Sequence, residues 1–351
     1  MTDVAGRGPA PAAGDPGARF AGVAELAGGG FARYAGRRTL IALGTAVFVV
    51  VANFFLFRML PGDPVGLYTR GRNVPPEQIA RLREQYDQPI GEQFWTYVQN
   101  PFSSAIPSAR FSRPVWDIVG ERVGATLLLV GLATILASVI GVWIGIHAGW
   151  RRGGRFDRLS TGTTLTLYAM PEFWLGMLLL VAFGVGVGPL PGFLPTGGMN
   201  TAGVDASSPA GWLDVAKHLL LPCLTLTLAY LAEYALVMRA SVLEEVGQDY
   251  LTTARAKGLM DKLVRRRHAV PNALLPTVSL VFMNVGFVIS GAITVETVFS
   301  WPGLGLLTYE AIRGPDVALL QALFLLFGVA VIAFNLIADL LYAVLDPRVQ
   351  A

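Results

Sequence analysis

The sequence predicts an all-α polytopic membrane protein with six transmembrane helices. Hydrophobic residues make up 53% of the chain and charged residues only 15%, whereas soluble domains carry about 25% charged residues. A helix needs about 20 apolar residues to cross the hydrocarbon core of a bilayer. Six apolar stretches reach that length: Leu40–Leu60, Val123–Trp150, Leu159–Val187, Leu219–Arg239, Leu274–Val298 and Val317–Leu345.

The segment before the first span, residues 1–38, is rich in glycine, alanine and proline and has few large apolar residues. Such a composition buries too little surface to offset the entropy lost on folding. We therefore expect a disordered cytoplasmic extension, followed by a single transmembrane domain over residues 39–348. A signal peptide is not indicated, because the apolar run begins only at Leu40 and no small-residue cleavage site follows it.

After the first span, the sequence LPGDP stops the helix through its prolines and glycine. Residues 61–121 then form an extracytoplasmic segment. Short helices are expected in it at 75–86, 90–99 and 114–122. Two interpretations of this segment stay open: a cap that closes the outer face of the protein, or a contact surface for an external partner.

The basic residues of the short loops orient the spans. The loops at 150–158 and 239–273 are strongly basic, whereas those at 188–217 and 299–316 carry more acidic than basic residues. Because basic loops stay in the cytoplasm, both termini are expected there. The same loops account for the net charge of +3, so the charge indicates no nucleic-acid partner.

Enzyme and metal-site motifs are missing from the sequence. None of the three lysines, Lys217, Lys257 and Lys262, lies in a G-x-x-x-x-G-K-[ST] loop. The zinc-protease and serine-hydrolase patterns are also absent. The single cysteine, Cys223, and three scattered histidines indicate neither an internal disulfide nor a metal site. We therefore predict a protein that is not an enzyme and binds no cofactor itself.

The 239–273 loop is the most informative polar segment of the chain. A short helix is expected at 251–257, ended by Gly258. Asp261 is expected to cap or start a second helix over 262–269, which Pro271 would end. Small residues in the first helix would permit a partner to approach closely, and its basic side chains could meet acidic groups of that partner.

Several long motifs in this chain resemble one family. The 239–273 loop contains QDYLTTARAKGL and continues into RHAVPNALLP, and LPGDP follows the first span. Further motifs are PEFWLG at Pro171–Gly176, ETVFSWPGLG at Glu296–Gly305 and NLIADLLYAVLDPR at Asn335–Arg348. Together they resemble the first permease subunit of ATP-binding-cassette (ABC) importers for dipeptides and oligopeptides. The long N-terminus and the segment SSAIPSARFS in the first outer loop depart from that family's pattern.

The resemblance implies a type I ABC importer permease fold in the cytoplasmic membrane of a bacterium. It also implies four partner chains or domains: a second homologous permease, two cytoplasmic ATPase domains that bind ATP and Mg, and an extracytoplasmic substrate-binding protein. Membrane lipid is a further partner. The residues expected to couple the permease to the ATPase are Tyr250, Thr253, Ala254, Arg255, Ala256, Lys257, Gly258 and Asp261.

Polar residues within the spans are candidates for the translocation path. An ionisable side chain at membrane depth costs at least about 2.5–3.5 kcal/mol unless it faces a cavity or a partner. Glu172, beside Pro171, either lines the path and meets the amino group of a peptide, or is hydrogen-bonded between helices at the proline kink. Asn284 is the second path candidate. Glu233 is expected to pair with Arg239.

Other functions remain as alternatives. The same class of importer could carry glutathione, a haem-type ligand or a nickel chelate. A secondary transporter would show broken helices with ion ligands, and an intramembrane protease would need paired catalytic residues at depth. The sequence indicates neither arrangement.

Overall fold

The computed structural model describes residues 29–59, 63–70, 74–102, 107–205, 207–288 and 292–345. The α-helices of this part are α1 (Gly29–Arg58), α2 (Pro64–Thr69), α3 (Pro76–Tyr86), α4 (Ile90–Gln99), α5 (Val115–Trp150), α6 (Arg155–Ala169), α7 (Glu172–Leu179), α8 (Pro209–Val246), α9 (Asp249–Ala256), α10 (Asp261–Val264), α11 (Val270–Val288), α12 (Ile293–Val298), α13 (Leu304–Arg313) and α14 (Val317–Leu345). Two segments are π-helical, Leu180–Val185 and Arg265–Ala269. Strands β1 (Gly186–Val187) and β2 (Leu190–Pro191) form an antiparallel hairpin in which Gly186 pairs with Pro191 and Val187 with Leu190.

Within the described residues, four helices are long and apolar enough to cross a membrane, and they lie in α1, α5, α8 and α14. A fifth candidate consists of two helical pieces, Arg155–Ala169 and Glu172–Val185, which are bent by 104° at a short break. The sequence predicts one continuous third span here. The break follows from Pro171, which lacks the N–H that would continue the helix and restricts the residue before it. The total of six spans stays a prediction.

The predicted fifth span, Leu274–Val298, is not one helix either. Helix α11 covers residues up to Val288, residues 289–291 lie outside the described part, and α12 is a separate short helix. The fourth predicted span is longer than expected, because α8 runs through Pro222 without ending. In membrane proteins neighbouring helices and side chains compensate for the backbone hydrogen bond that such a proline removes. The sixth predicted span coincides with α14.

The N-terminal prediction is wrong for Gly29–Arg38. These residues are the first turns of α1, not a disordered tail. Arg38 holds this end in place, because its guanidinium lies 3.2 Å from the Asp339 carboxylate of α14 and 5.3 Å from the centroid of the Tyr34 ring. A helix that continues into a span also extends cooperatively at little cost. Residues 1–28 lie outside the described part.

The most extensive helix–helix contact joins α5 to α8. Three glycines of α5, spaced by four residues, lie along this contact: Gly141, Gly145 and Gly149. A Cβ added at Gly145 would lie 2.6 Å from Cβ of Met238 and 2.7 Å from the carbonyl oxygen of Ala235. The two helix backbones therefore approach as closely as small residues allow, which is the usual way that membrane helices associate.

The segment Glu296–Gly305 is folded into the protein rather than presented to a partner. Glu296 is fully buried and accepts hydrogen bonds from Thr126 Oγ1 at 2.9 Å and from the backbone N of Leu306 at 3.0 Å. A side chain does not fit at Gly303, where a Cβ would lie 2.4 Å from Oε2 of Glu296. Because both oxygens of the buried carboxylate have donors, the segment can pack against α5 and α8 without leaving a buried acceptor unpaired.

The described part of the 61–121 segment also packs against the rest of the chain. Its expected helices are present as α3, α4 and the start of α5. Asn53 of α1 donates a hydrogen bond to the Tyr97 hydroxyl at 2.9 Å. Asp316, fully buried, accepts hydrogen bonds from Ser108 Oγ at 2.5 Å and from the backbone N of Arg110 at 3.0 Å. These contacts favour the interpretation of the segment as a cap on the outer face.

Candidate functional site: the 239–273 loop

The 239–273 loop forms helix, turn and helix between the end of α8 and the start of α11. Helix α9 ends at Ala256 with Lys257 as its C-cap residue, and Gly258 follows with a φ of +79°. The backbone N of Leu259 donates to the carbonyl of Ala254, and that of Gly258 to the carbonyl of Arg255. This pair of bonds is the Schellman motif, which requires the left-handed conformation that glycine adopts without strain. The predicted break at Gly258 is confirmed.

The loop has a small hydrophobic core of its own. Leu251, Val264 and Ala269 are fully buried in it, and Ala254 is 7% exposed. Trp150, at the end of α5, packs against the same cluster. The structure thus corrects the expectation that Ala254 is a contact residue: its methyl group faces the loop interior, because residues 251 and 254 lie on one face of α9.

Tyr250 ties α9 to both neighbouring helices. Its hydroxyl is hydrogen-bonded to the Glu245 carboxylate near the end of α8, and it accepts a hydrogen bond from Nδ2 of Asn272 in α11 at 2.9 Å. Partial burial, together with the Glu245 carboxylate, raises the pKa of the Tyr250 phenol. The phenol therefore stays protonated and can donate to Glu245 at neutral pH. Tyr250 is a positioning residue for α9.

Asp261 and Arg255 interact within the chain. The indole Nε1 of Trp150 donates to Oδ2 of Asp261 at 2.8 Å, and Nε of Arg255 lies 3.5 Å from Oδ1 of the same carboxylate. The Arg255 guanidinium also lies 5.6 Å from the centroid of the Trp150 ring. We call these three side chains the Trp150 latch. It connects the turn after α9 to the C-terminal end of α5, so the Arg255 charge is partly satisfied without a partner chain.

The other residues that the sequence predicted to couple the permease to the ATPase point outward. Thr253, Ala256, Lys257 and Gly258 are all exposed. Among the described residues, Lys257 forms no salt bridge, unlike its neighbour Arg255. Met260, which the sequence argument did not single out, is 75% exposed. An exposed methionine beside small and basic side chains gives a surface that is adaptable and accessible to a partner.

The second half of the loop differs from the prediction. Helix α10 starts at Asp261 as expected, but Pro271 does not end the helix that follows. Instead, the backbone N of Val270 donates to the carbonyl of Arg265 through a π-helical turn, and α11 continues from there. Pro271 therefore lies inside a continuous helix, directly after the π-helical turn, and the helix runs past it although proline has no backbone N–H to donate.

An ion pair stabilises the start of the 239–273 loop. Arg239 of α8 donates from Nε to Oδ1 of Asp157 at 2.6 Å and from Nη2 to Oδ2 at 3.1 Å. Asp157 is 4% exposed and also accepts from the backbone N of Gly153 at 2.8 Å. The expected pair of Glu233 with Arg239 is therefore wrong. Glu233 points to another helix and accepts a hydrogen bond from Asn284 at 3.2 Å.

The two path candidates lie against neighbouring turns of α8. Asn284 of α11 donates to Glu233 and, at 3.3 Å, to the Tyr234 hydroxyl. Glu172 begins α7 at the 104° bend, near the Tyr230 hydroxyl of α8. Among the described residues Glu172 has no hydrogen-bond or salt-bridge partner, so the hydrogen-bonded alternative at the kink finds no support there.

Family models match most of the chain. Residues 123–351 match the family described as "Binding-protein-dependent transport system inner membrane component", and residues 31–130 match the corresponding N-terminal family. Among solved structures, the inward-facing MetNI methionine ABC transporter is similar, with a TM-score of 0.51, 16% identity, and coverage of 66% of this chain and 97% of that one. At that identity the likeness supports the type I ABC importer permease fold and nothing finer.

Three curated relatives are similar over nearly their whole lengths. The dipeptide transport system permease protein DppB of Escherichia coli (strain K12) is 35% identical over 330 residues, 90% of this chain and 97% of the relative. A putative peptide permease of Brucella suis is 36% identical over 324 residues, 91% of this chain and 99% of the relative. The glutathione transport system permease protein GsiC of Escherichia coli (strain K12) is 36% identical over 317 residues, 89% of this chain and 97% of the relative.

Proposed function

The chain belongs to the family of binding-protein-dependent transport system inner membrane components, and we propose that it is the permease subunit through which an ATP-driven importer moves peptides into a bacterial cell. The observation that carries this proposal is the 35% identity to a dipeptide permease over 97% of that protein's length. The identities to the dipeptide, peptide and glutathione permeases differ by at most one percentage point. Glutathione is itself a short peptide, so all three names support a peptide as cargo.

The chain works as one part of a larger assembly. It lacks a phosphate-binding loop, so ATP and Mg would be bound by two ATPase domains on other chains. A second, homologous permease would complete the translocation path. An extracytoplasmic binding protein would deliver the substrate to the capped outer face.

The exposed face of α9 is the proposed contact for an ATPase domain. It consists of Thr253, Ala256 and Lys257, with Met260 beyond the turn. The loop core and the Trp150 latch hold this face in a fixed orientation relative to α5, α8 and α11. A displacement of α9 would therefore reach three helices at once. Coupling requires only that the inward- and outward-open states differ in their free energy of contact with the ATPase.

Replacement of Ala256 by tryptophan tests this contact. Ala256 is exposed, so the change leaves the loop core intact, whereas a bulky residue at Ala254 would disrupt it and any side chain at Gly258 would be strained. Overpacking of a close interface costs about 1–3 kcal/mol. We expect ATP-driven uptake of labelled dialanine by proteoliposomes of the whole importer to fall roughly tenfold or more.

The matched control is Ala202→Trp, the same substitution at an exposed alanine of the outer loop 188–217. It should leave uptake and the amount of co-purifying ATPase unchanged. Normal uptake by the Ala256→Trp importer would contradict the assignment of α9 as the contact. Absence of dialanine and glutathione uptake by the unaltered importer would instead contradict the peptide cargo.

A further inference from the structure

A second basic surface lies at the turn between α5 and α6, separate from the outward face of α9. Its four arginines are exposed, and among the described residues none of them has a carboxylate within salt-bridge distance. They are Arg151, Arg152, Arg155 and Arg158. With the aromatic residues Trp143 and Phe156 these arginines form what we call the basic corner.

The acidic residue of this turn does not neutralise the arginines. Asp157 is turned inward and is held by both guanidinium contacts of Arg239 and by the backbone N of Gly153. Its charge is therefore already compensated by α8. The surface of the turn consequently presents positive charge to its surroundings, and the burial of Asp157 fixes that arrangement.

The apolar side of the basic corner is exposed as well. Trp143 is 53% exposed, Phe156 42% and Leu159 72%. The ring centroids of Trp143 and Phe156 are 5.9 Å apart, and His147 stacks against Trp143 at 4.7 Å. Trp143 and His147 are spaced by four residues, so they lie on one face near the end of α5, and Arg151 follows directly after that helix.

This combination favours one kind of partner. Aromatic rings are enriched at the level of lipid headgroups, where one side of the ring is apolar and the other is wet. Arginine forks bind phosphate oxygens through two parallel hydrogen bonds. A contact with a water-soluble ATPase would use the arginines but would leave the exposed rings and Leu159 without a role.

We propose that the basic corner binds anionic phospholipids of the cytoplasmic leaflet. The phosphate groups lie at Arg151, Arg152 and Arg158, and the acyl chains lie along Trp143 and Phe156. Each basic residue near an anionic membrane surface contributes about 1 kcal/mol, so three of them account for at most roughly a hundredfold preference over a neutral lipid.

The full-length chain, reconstituted in nanodiscs, provides the test. Brominated phosphatidylglycerol and brominated phosphatidylcholine are compared as quenchers of tryptophan fluorescence, and a Trp143→Phe variant identifies the Trp143 signal. We expect phosphatidylglycerol to quench Trp143 with an apparent affinity roughly tenfold higher than phosphatidylcholine. High salt should reduce that difference, because it screens exposed charges.

Three variants distinguish binding of anionic lipid from docking of the ATPase chain. R151Q/R152Q/R158Q should abolish the preference, whereas R151K/R152K/R158K, which keeps the charge, should retain most of it. R70Q/R81Q/R313Q removes the same number of exposed charges from described residues of the predicted outer face and should change nothing. Equal quenching by both lipids in the unaltered chain would overturn the proposal. So would a glutamine variant that keeps its lipid preference but no longer co-purifies with the ATPase, since the corner would then be a docking surface for that chain.

Discussion

At the scale of single residues, buried carboxylates organise the described parts of this protein. Glu296 holds the outer segment and Asp316 holds the cap, each through hydrogen bonds to groups distant in sequence. Asp157 does the same for the turn after α5 and for Arg239. Each of these acids is satisfied by several donors, which is the condition for burying charge without a large penalty.

Replacement of Asp157 by asparagine should destabilise the protein. It would leave the Arg239 guanidinium, whose side chain is 26% exposed, without its counter-charge. Because Arg239 retains some access to water, we expect a loss of about 2 kcal/mol, below the usual range for fully buried pairs. The measurement is the thermal unfolding midpoint of the purified chain in detergent.

The control is a pair of similar geometry on the surface. Arg113 and Glu121 also form two contacts, at 3.2 and 2.5 Å, but both side chains are more than half exposed. Glu121→Gln should therefore leave the midpoint almost unchanged. An equal drop for both variants would show that burial of Asp157 has no special part in stability.

At the scale of elements, the glycine stripe of α5 determines how closely α5 and α8 pack. Gly145→Ala would place a methyl group 2.6 Å from Cβ of Met238, so the two helices must separate. We expect a loss of about 1–3 kcal/mol, the range for overpacked cores. Thermal unfolding in detergent measures this loss.

Gly131→Ala, on the same helix, is the matched control. A Cβ at Gly131 would meet nothing within 4 Å. Alanine is the better helix former by about 0.8–1.0 kcal/mol, so this variant should be neutral or slightly more stable. Destabilisation by Gly131→Ala as large as that by Gly145→Ala would contradict the role given to the stripe.

At the scale of the whole molecule, the 104° bend brings Glu172 close to α8, where Asn284 of α11 also lies. Glu172 at the bend and Asn284 on α11 come from distant parts of the sequence, yet both lie against the Tyr230–Tyr234 turn of α8. A carboxylate without a partner in a membrane span is costly unless water or a substrate reaches it. We propose that Glu172 meets the amino group of a passing peptide.

Glu172→Gln should slow transport without unfolding the protein. Glutamine keeps the shape but not the charge, so we expect uptake of dialanine by the whole importer to fall roughly tenfold, the effect of losing about 1.4 kcal/mol of attraction. Uptake by proteoliposomes and ATP turnover stimulated by the binding protein are measured together. Unchanged uptake would exclude a role for this charge, and loss of the folded complex would favour a structural one.

Sequence reasoning predicted the loop helices and the break at Gly258, because those follow from local backbone preferences that glycine and helix caps determine. It also placed the start of α14 correctly, since a long apolar run is a composition signal. It failed at Pro171 and Pro271, where the same residue type produces a sharp bend in one case and continuous helix in the other. The outcome depends on the neighbouring turns, which proline alone does not specify.

The sequence by itself determined the class of protein, the family and the helix break at Gly258, since composition, motif order and local backbone preference are properties of the chain. The tertiary structure alone decided which charged groups are partners. Glu233 was assigned to Arg239 because they are close in sequence, yet Asp157 lies there instead. Ala254 was assigned to a partner chain and is buried in the loop core. Pairing and burial depend on which helices pack together, and that contact is set by long-range features such as the α5 glycine stripe.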